Sequence, residues 1–205
     1  MPDSFTDFRT RHARAIALVA AHCDIEERLD LAPPTARLRG VLFGAITTEV
    51  KAHGVLDQYR DFFPTDFGAI SYHPLSEYLV RIAVAGALIA SPERVHAGMY
   101  EISLGNAKTF AESLLGRTLI RLLARDPVRL VEQAIAARRQ MATYGQWSIE
   151  RRGPTAIAVH YANEYTWIES AIAGSAAGTF EGQRIKVAIE THMTDRFNGS
   201  TFFSW

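Results

Sequence analysis

The hydrophobic periodicity of this chain changes at Gly145, and this change constrains the fold more than any other feature of the sequence. Before Gly145 the apolar residues recur with the spacing of amphipathic helices, and after it they alternate with polar residues as in β-strands. The sequence therefore predicts an α+β protein with a helical part over residues 1–145 and an antiparallel sheet part over residues 146–205. Because 205 residues fall within the usual size of one domain, we expect both parts to form a single domain.

Proline and glycine residues divide the helical part into separate helices. Pro92 and Pro127 occupy first-turn positions, and Gly54 and Gly145 follow the last residues of helical segments. The predicted helices cover residues 4–22, 35–53, 76–90, 92–104, 107–124 and 127–143, with a short one near 56–61. An aromatic loop over residues 62–74 separates the second helix from the third, and it either packs over the core or shapes a site.

The sheet part has the pattern of four strands and one helix. Trp147 and Ile149 begin a first strand, and the alternation of Ile157, Val159 and Tyr161 predicts a second one after a Gly-Pro turn. Residues 163–178 return to helical spacing, and further strands are predicted at 184–190 and 200–205. The order β-β-α-β-β predicts one four-stranded antiparallel sheet with the inserted helix across a face.

Charge and cysteine content exclude several classes of protein. The 22 basic and 22 acidic residues give no net charge, which argues against a nucleic-acid partner. The most apolar segment, residues 78–90, is too short to cross a bilayer and contains Arg81, so no membrane partner is expected either. The single cysteine, Cys23, indicates a reducing compartment, and we expect a cytoplasmic protein.

Established catalytic and metal-binding signatures are absent from the sequence. It contains neither a Gly-x-Ser-x-Gly elbow nor a phosphate-binding glycine loop, and its seven histidines do not have the spacing of a zinc site. We therefore predict no metal site and no catalytic residue. Asp61 and Asp66 lie beside phenylalanines, so a small acid-base enzyme that uses them with His73 from the 57–73 loop is one alternative. Two basic pairs, Arg138-Arg139 and Arg151-Arg152, flank the change of period and are candidate contacts for an anion or a partner.

Several segments together resemble one protein family. They are LRGVLFGAITTEV at residues 38–50, the apolar segment 78–90, GNAKTFAESLLGRTLIRLL at 105–123, YTWIESAIAGSAAG at 165–178 and the final FFSW. The chain resembles an uncharacterised family of myxobacterial-type paralogous proteins of about this length. The resemblance implies a bacterial cytosolic protein, and it assigns no catalytic residue.

The order of helices followed by a sheet with one inserted helix is also similar to the haem nitric oxide/oxygen-binding domain and its vinyl-reductase-type relatives. Those proteins hold a ligand between the helical part and the sheet. The chain departs from them in two ways: residues 134–144, where the resemblance would place the haem-ligating histidine, contain none, and the Tyr-x-Ser-x-Arg motif for the haem propionates is missing. We therefore expect the architecture without haem.

These observations favour a non-enzymatic regulatory or sensory module that binds a small apolar ligand or a protein partner between the helical part and the sheet. The candidate ligand-binding residues are Tyr78, Arg81, Tyr144, Trp147, Tyr165 and Trp167. Arg81 is the most specific of them, because a guanidinium in an apolar helix needs either a ligand anion or a structural carboxylate such as Glu77. The other alternative is a ligand-free homodimeric scaffold that associates through a sheet edge or an alanine-rich helix surface.

Overall fold

The computed structural model of the chain describes the backbone of residues 5–112 and 126–205, and the side chains of residues 7–108 and 126–205. The predicted helix at 107–124 and the family-like segment at 105–123 therefore lie largely outside the described residues. The chain forms two compact units, residues 1–102 and residues 103–205. The last helix before Gly145 thus belongs to the same unit as the sheet.

The first unit is mostly helical. Its elements are α1 (Phe5–Arg11), α2 (Ala13–Val19), α3 (Ile25–Leu31), β1 (Arg37–Arg39), α4 (Gly40–Ala52), α5 (Leu56–Arg60), β2 (Tyr72–Pro74), α6 (Leu75–Ile89), a 3-10 turn (Pro92–Arg94) and the start of α7 (Val95–Glu112). The predicted helix at 35–53 begins only at Gly40, because residues 37–39 pair antiparallel with β2. The predicted helix at 4–22 is divided at His12, whose buried side chain bonds to Glu77.

Helix α6 forms the centre of the first unit. Residues 79–87 of this helix are all buried. Two glycines let α6 and α7 cross closely, since a Cβ on Gly98 would lie 2.1 Å from the carbonyl oxygen of Gly86. Among the described helices, none is long and apolar enough to cross a membrane alone. By length and composition only the pair Leu75–Ile89 and Pro92–Lys108, bent by 115°, qualifies when both are taken together.

The second unit contains an antiparallel sheet with helices. Its elements are α8 (Pro127–Met141), β3 (Gln146–Gly153), β4 (Ala156–Ala162), a π-helical turn (Ile168–Ile172), α9 (Ala173–Gly182), β5 (Ala188–Met193) and β6 (Gly199–Ser204), besides the end of α7. The strands lie in the order β3-β4-β6-β5, and every neighbouring pair is antiparallel. This confirms the predicted α+β class and the β-β-α-β-β order. Strand β5, predicted from residue 184, begins only at Ala188, and Arg184 has a positive φ of 57°.

One hydrophobic core holds the second unit together. The apolar face of α8, one face of the sheet, the π-helical turn and α9 all contribute to it: Val128, Leu130, Val131, Ile135, Ile157, Val159, Tyr161, Ile168, Phe180 and Phe203. Helix α8 starts sharply because the Asp126 carboxylate caps it, accepting hydrogen bonds from the backbone N–H groups of Val128 (3.0 Å) and Arg129 (3.3 Å). The cap and the apolar face together fix α8 relative to the strands.

Candidate functional site

A cleft of about 600 Å³ lies in the second unit, where α8 ends and β3 begins. Helix α8 and its C-terminal turn supply Ile135, Arg138, Arg139, Ala142, Thr143, Tyr144 and Gly145, and the strands supply Gln146, Trp147, Ser148, His160, Tyr161 and Ala162. A volume of this size is typical of a small-molecule site. The lining residues therefore come from both sides of Gly145, from the end of the last helix and from the sheet.

A buried carboxylate ties the lining residues together. Glu164, which follows β4, is completely buried. One of its oxygens, Oε2, accepts hydrogen bonds from Arg138 Nη2 (2.9 Å) and Trp147 Nε1 (2.8 Å). The other oxygen, Oε1, accepts from the backbone N–H (3.0 Å) and the hydroxyl (2.6 Å) of Thr166. With four donors and one matching positive charge, this carboxylate is stable in its buried position.

The aromatic side chains of the cleft are held by the same network. The Arg138 guanidinium carbon lies 4.5 Å from the ring centre of Tyr144 and 5.4 Å from that of Trp147. Trp147 also packs edge-on against Tyr161, with ring centres 5.0 Å apart. Burial raises the pKa of Tyr161, so its hydroxyl remains neutral at physiological pH. The cleft is therefore lined by rings whose positions are fixed by neighbouring side chains.

Gly145 is required where the helix passes into the sheet. Its φ of +71° lies in the region that favours glycine. In addition, a Cβ at this position would lie 3.0 Å from Oε2 of Glu164. The glycine that the sequence marks as a helix stop thus also lets the chain pass close to the buried carboxylate, between Tyr144 and Trp147.

At the rim of the cleft, His160 links two neighbouring side chains. Its Nδ1 lies 2.8 Å from the hydroxyl of Ser200, and its Nε2 lies 2.9 Å from Oε2 of Glu150. The series Ser200, His160 and Glu150 resembles the nucleophile, base and acid of a hydrolase. However, β6 lies between β4 and β5, so the backbone N–H groups beside Ser200 are engaged in the sheet and cannot stabilise an oxyanion. The arrangement orients His160 and does not constitute a catalytic site.

Two of the predicted ligand-binding residues, Tyr144 and Trp147, line the cleft. Tyr165 does not line it, and its ring packs between Tyr144 (6.0 Å) and Phe197 (5.0 Å). Trp167 is completely buried. Sequence reasoning did not identify Glu164 or His160. The only sequence signal for Glu164 is a carboxylate placed directly after a strand and before an apolar helix.

The remaining two predicted residues, Tyr78 and Arg81, lie on α6 in the first unit. Arg81 donates to the Glu77 carboxylate (3.2 Å) and to the carbonyl oxygen of Pro64 (2.9 Å), and its guanidinium lies over the rings of Phe63 and Phe67. Of the two partners expected for Arg81, a ligand anion or a structural carboxylate, the structure contains the carboxylate of Glu77. Tyr78 packs edge-on against Phe43, with ring centres 5.5 Å apart.

The acidic residues of the 57–73 loop are on the surface. Asp61 and Asp66 are exposed, and Asp57 forms a surface ion pair with Arg60 at 3.1 Å. The His73 ring packs instead against Phe43 (5.1 Å) and Phe67 (5.2 Å). Among the described residues, no group of three or more His, Cys, Asp or Glu side chains converges as a metal site would require.

Comparison with known proteins gives one family and one fold. A family model described as "Protein of unknown function (DUF2378)" matches residues 33–189. No curated protein matches the chain. Among solved structures, an unliganded Fe(II) H-NOX protein from K. algicida aligns with 15% identity and a TM-score of 0.56, covering 82% of this chain and 96% of that one. A mutant H-NOX from T. Tengcongensis aligns with 16% identity and a TM-score of 0.55, covering 82% and 97%. These results confirm the resemblance to an uncharacterised family and to the haem nitric oxide/oxygen-binding architecture.

The cleft does not present a histidine that fits a haem group. Haem iron in proteins is held by a histidine, cysteine, methionine or tyrosine side chain that faces the porphyrin. His12 is bonded to Glu77, and both nitrogens of His160 are bonded. His73 does not line the cleft: its ring packs against Phe43 and Phe67, and its buried Nε2 has no hydrogen-bond partner among the described residues. The other four histidines are exposed or half-buried: His22, His53, His96 and His192. None of the four lines the cleft, so no described histidine offers an open imidazole to a haem there.

Proposed function

Because the chain belongs to the DUF2378 family of proteins of unknown function and has the H-NOX fold, and because the one described histidine of its cleft has both nitrogens bonded, we propose that it is a regulatory or sensory module that binds a small molecule other than haem. The binding site is the cleft between the end of α8 and the β3–β4 hairpin. The single observation that carries the proposal is the fixed aromatic and guanidinium lining built around Glu164.

The cleft meets the physical requirements of a binding site. Its lining is ordered before any ligand arrives, because Arg138 and Trp147 donate to one buried carboxylate oxygen. Ordering a side chain in advance reduces the entropy that binding has to overcome. Rings, amide, hydroxyl and imidazole groups meet within one concave surface, and this combination gives both contact area and specificity.

The experiment compares the masses of the purified full-length protein under native and denaturing conditions. We expect the native mass to exceed the mass of the polypeptide by the mass of one small molecule. If that molecule is coloured, the absorption spectrum should also change. Replacing Tyr144 by leucine should lower the occupancy, because one of the two ring walls is lost. Tyr72→Leu, at an exposed position in the first unit, is the matched control.

A native mass equal to that of the polypeptide alone would contradict the proposal. The same holds for a bound molecule whose occupancy is unchanged in Tyr144→Leu. A species of exactly twice the polypeptide mass, with no small molecule, would instead favour the ligand-free homodimeric scaffold.

A further inference from the structure

We infer that the ligand of this cleft is a planar organic anion, an inference that rests on the proposed function. It differs from the apolar ligand that the sequence predicts, and the reason lies in the charges of the lining. Arg138, Arg139 and His160 all line the cleft, whereas none of the described residues that line it is an aspartate or a glutamate. A concave surface lined by one sign of charge concentrates the opposite ion.

The positive charge available to a ligand belongs to Arg139. The charge of Arg138 is already matched by Glu164, to which it is bonded. Glu150, the carboxylate bonded to His160 at the rim, also pairs with Arg152 at 3.1 Å. Arg139 is exposed in the last turn of α8, and the described part of the chain places no carboxylate within ion-pair distance of it. Its guanidinium can therefore hold a carboxylate or phosphate oxygen through paired N–H donors.

The flat shape of the ligand follows from the rings beside this charge. Tyr144 and Trp147 line the same cleft, and both lie against the guanidinium of Arg138. Guanidinium planes and aromatic faces both prefer to stack on flat groups. Gln146 and Ser148 add neutral hydrogen-bonding groups at the edge, which suit the polar substituents of a ring.

The test measures binding of three probes to the full-length protein by titration calorimetry. Naphthalene-2-carboxylate is flat and anionic, naphthalene-2-carboxamide is flat and neutral, and decahydronaphthalene-2-carboxylate is anionic with a saturated ring system. We expect the first probe to bind at least about tenfold more tightly than the carboxamide, since one hydrogen bond to a charged group contributes on the order of 1.4 kcal/mol or more. It should also bind more tightly than the saturated carboxylate, which keeps the charge but cannot stack on the rings. Its affinity should also fall as salt is added.

Substitution at Arg139 locates the anion. Arg139→Gln should weaken naphthalene-2-carboxylate about tenfold and leave the carboxamide unchanged, because only the charged contact is lost. Arg129→Gln is the matched control, because Arg129 lies on the same helix, is exposed and does not line the cleft. Equal loss in both variants would overturn the assignment to Arg139.

The other outcomes separate this inference from the proposed function. A carboxamide that binds as tightly as the carboxylate would overturn the anionic ligand, and a saturated probe that binds equally well would overturn its planarity. In both cases the proposal of a small-molecule site would stand. Failure of all three probes to bind at millimolar concentration would overturn the inference, while the native mass would decide the proposed function independently.

Discussion

At the scale of single residues, the second unit depends on one buried charge. Glu164 accepts four hydrogen bonds, and the residues that donate them come from α8, from β3 and from the segment after β4. Removing one partner of a buried ion pair leaves the other charge without compensation, and this costs far more than the intact pair contributes. The same carboxylate that orders the cleft is therefore also a sensitive point for stability.

Replacing Glu164 by alanine should lower the free energy of unfolding by about 3–5 kcal/mol, because Arg138 is left charged and poorly solvated. Urea denaturation of the purified protein measures the change. Glu132→Ala, at an exposed position on the helix that carries Arg138, is the control and should change the value by about 0.5 kcal/mol or less. A loss below about 1 kcal/mol for Glu164→Ala would show that the network does not carry this energy.

A second residue-scale prediction concerns Glu77 in the first unit. Burial alone would raise the pKa of this carboxyl, but the hydrogen bonds and positive charges of His12 and Arg81 outweigh burial and lower it below 4.5. A carboxyl with a lowered pKa in the folded state binds its proton more readily when unfolded, so it stabilises the fold above pH 4.5. This contribution is lost as the pH falls below that value.

Urea denaturation at a series of pH values between 7 and 3 tests this linkage. The unfolding free energy of the natural chain should fall below pH 4.5. In Glu77→Gln, which cannot ionise, that part of the pH dependence should disappear while the protein is less stable at pH 7. Identical pH profiles for the two proteins would refute the assignment.

The two carboxylates also differ in how far sequence could predict them. Glu77 lies four residues before Arg81 on one helix, so the pair follows from helical spacing alone. Two of the partners of Glu164, Arg138 and Trp147, lie 26 and 17 residues before it, on a helix and on a strand. Their meeting depends on the packing of α8 against the sheet, which periodicity does not specify.

At the scale of elements, small residues determine where helices approach each other. The sequence indicates that the glycine- and alanine-rich end of the inserted helix can approach a sheet closely. The structure places Gly178 of α9 against another helix, since a Cβ there would lie 2.3 Å from the carbonyl oxygen of Leu104 on α7. The sequence shows that close approach is needed, but the partner is determined by the fold.

Substituting alanine for Gly178 should lower the free energy of unfolding by about 1–3 kcal/mol, because the added methyl group forces α7 and α9 apart. Gly44→Ala is a matched control in the interior of α4, where nothing lies within 4 Å of the added carbon. There the same change should stabilise the protein by about 0.5–1 kcal/mol through the lower flexibility of the unfolded chain. Thermal or urea unfolding shows whether each variant is less or more stable than the natural chain. A stabilised Gly178→Ala variant would contradict the close approach of Gly178 to Leu104.

Strand prediction succeeded where alternation is long and failed where it is short. The residues that alternate in β4, from Ile157 to Tyr161, lie on the buried face as predicted. The three-residue strands β1 and β2 are too short to show a period, and β1 was therefore included in the predicted helix at 35–53. Its extended conformation depends on pairing with residues 72–74, which are distant in the sequence.

At the scale of the whole molecule, the chain shares the H-NOX fold, and the polar side chains of its cleft are organised around Glu164. The likeness extends over 82% of the chain at about 15% identity, which is enough to preserve a fold and not a site. The one described histidine that lines the cleft, His160, has both of its nitrogens bonded to neighbouring side chains. Fold and ligand chemistry must therefore be argued separately for this protein.

Haem added to the purified full-length protein should not form a stoichiometric complex. Absorption spectroscopy should show the spectrum of free haem, because His160, the one described histidine that lines the cleft, has both nitrogens bonded. An H-NOX protein treated in the same way serves as the positive control. A one-to-one complex that disappears when a single histidine, for example His73, is replaced by alanine would contradict this prediction.

The position of β6 in the sheet has a consequence for the order in which the chain can fold during translation. Residues 188–193 are translated before residues 199–204, yet among the described strands β5 pairs with β6 alone. A nascent chain that ends before residue 199 can form the β3–β4 hairpin, but both the second edge of β4 and the whole of β5 are still unpaired. Exposed strand edges readily pair with other chains. The free edge of β4 and the unpaired β5 can therefore associate with other chains until residues 199–204 have joined the sheet.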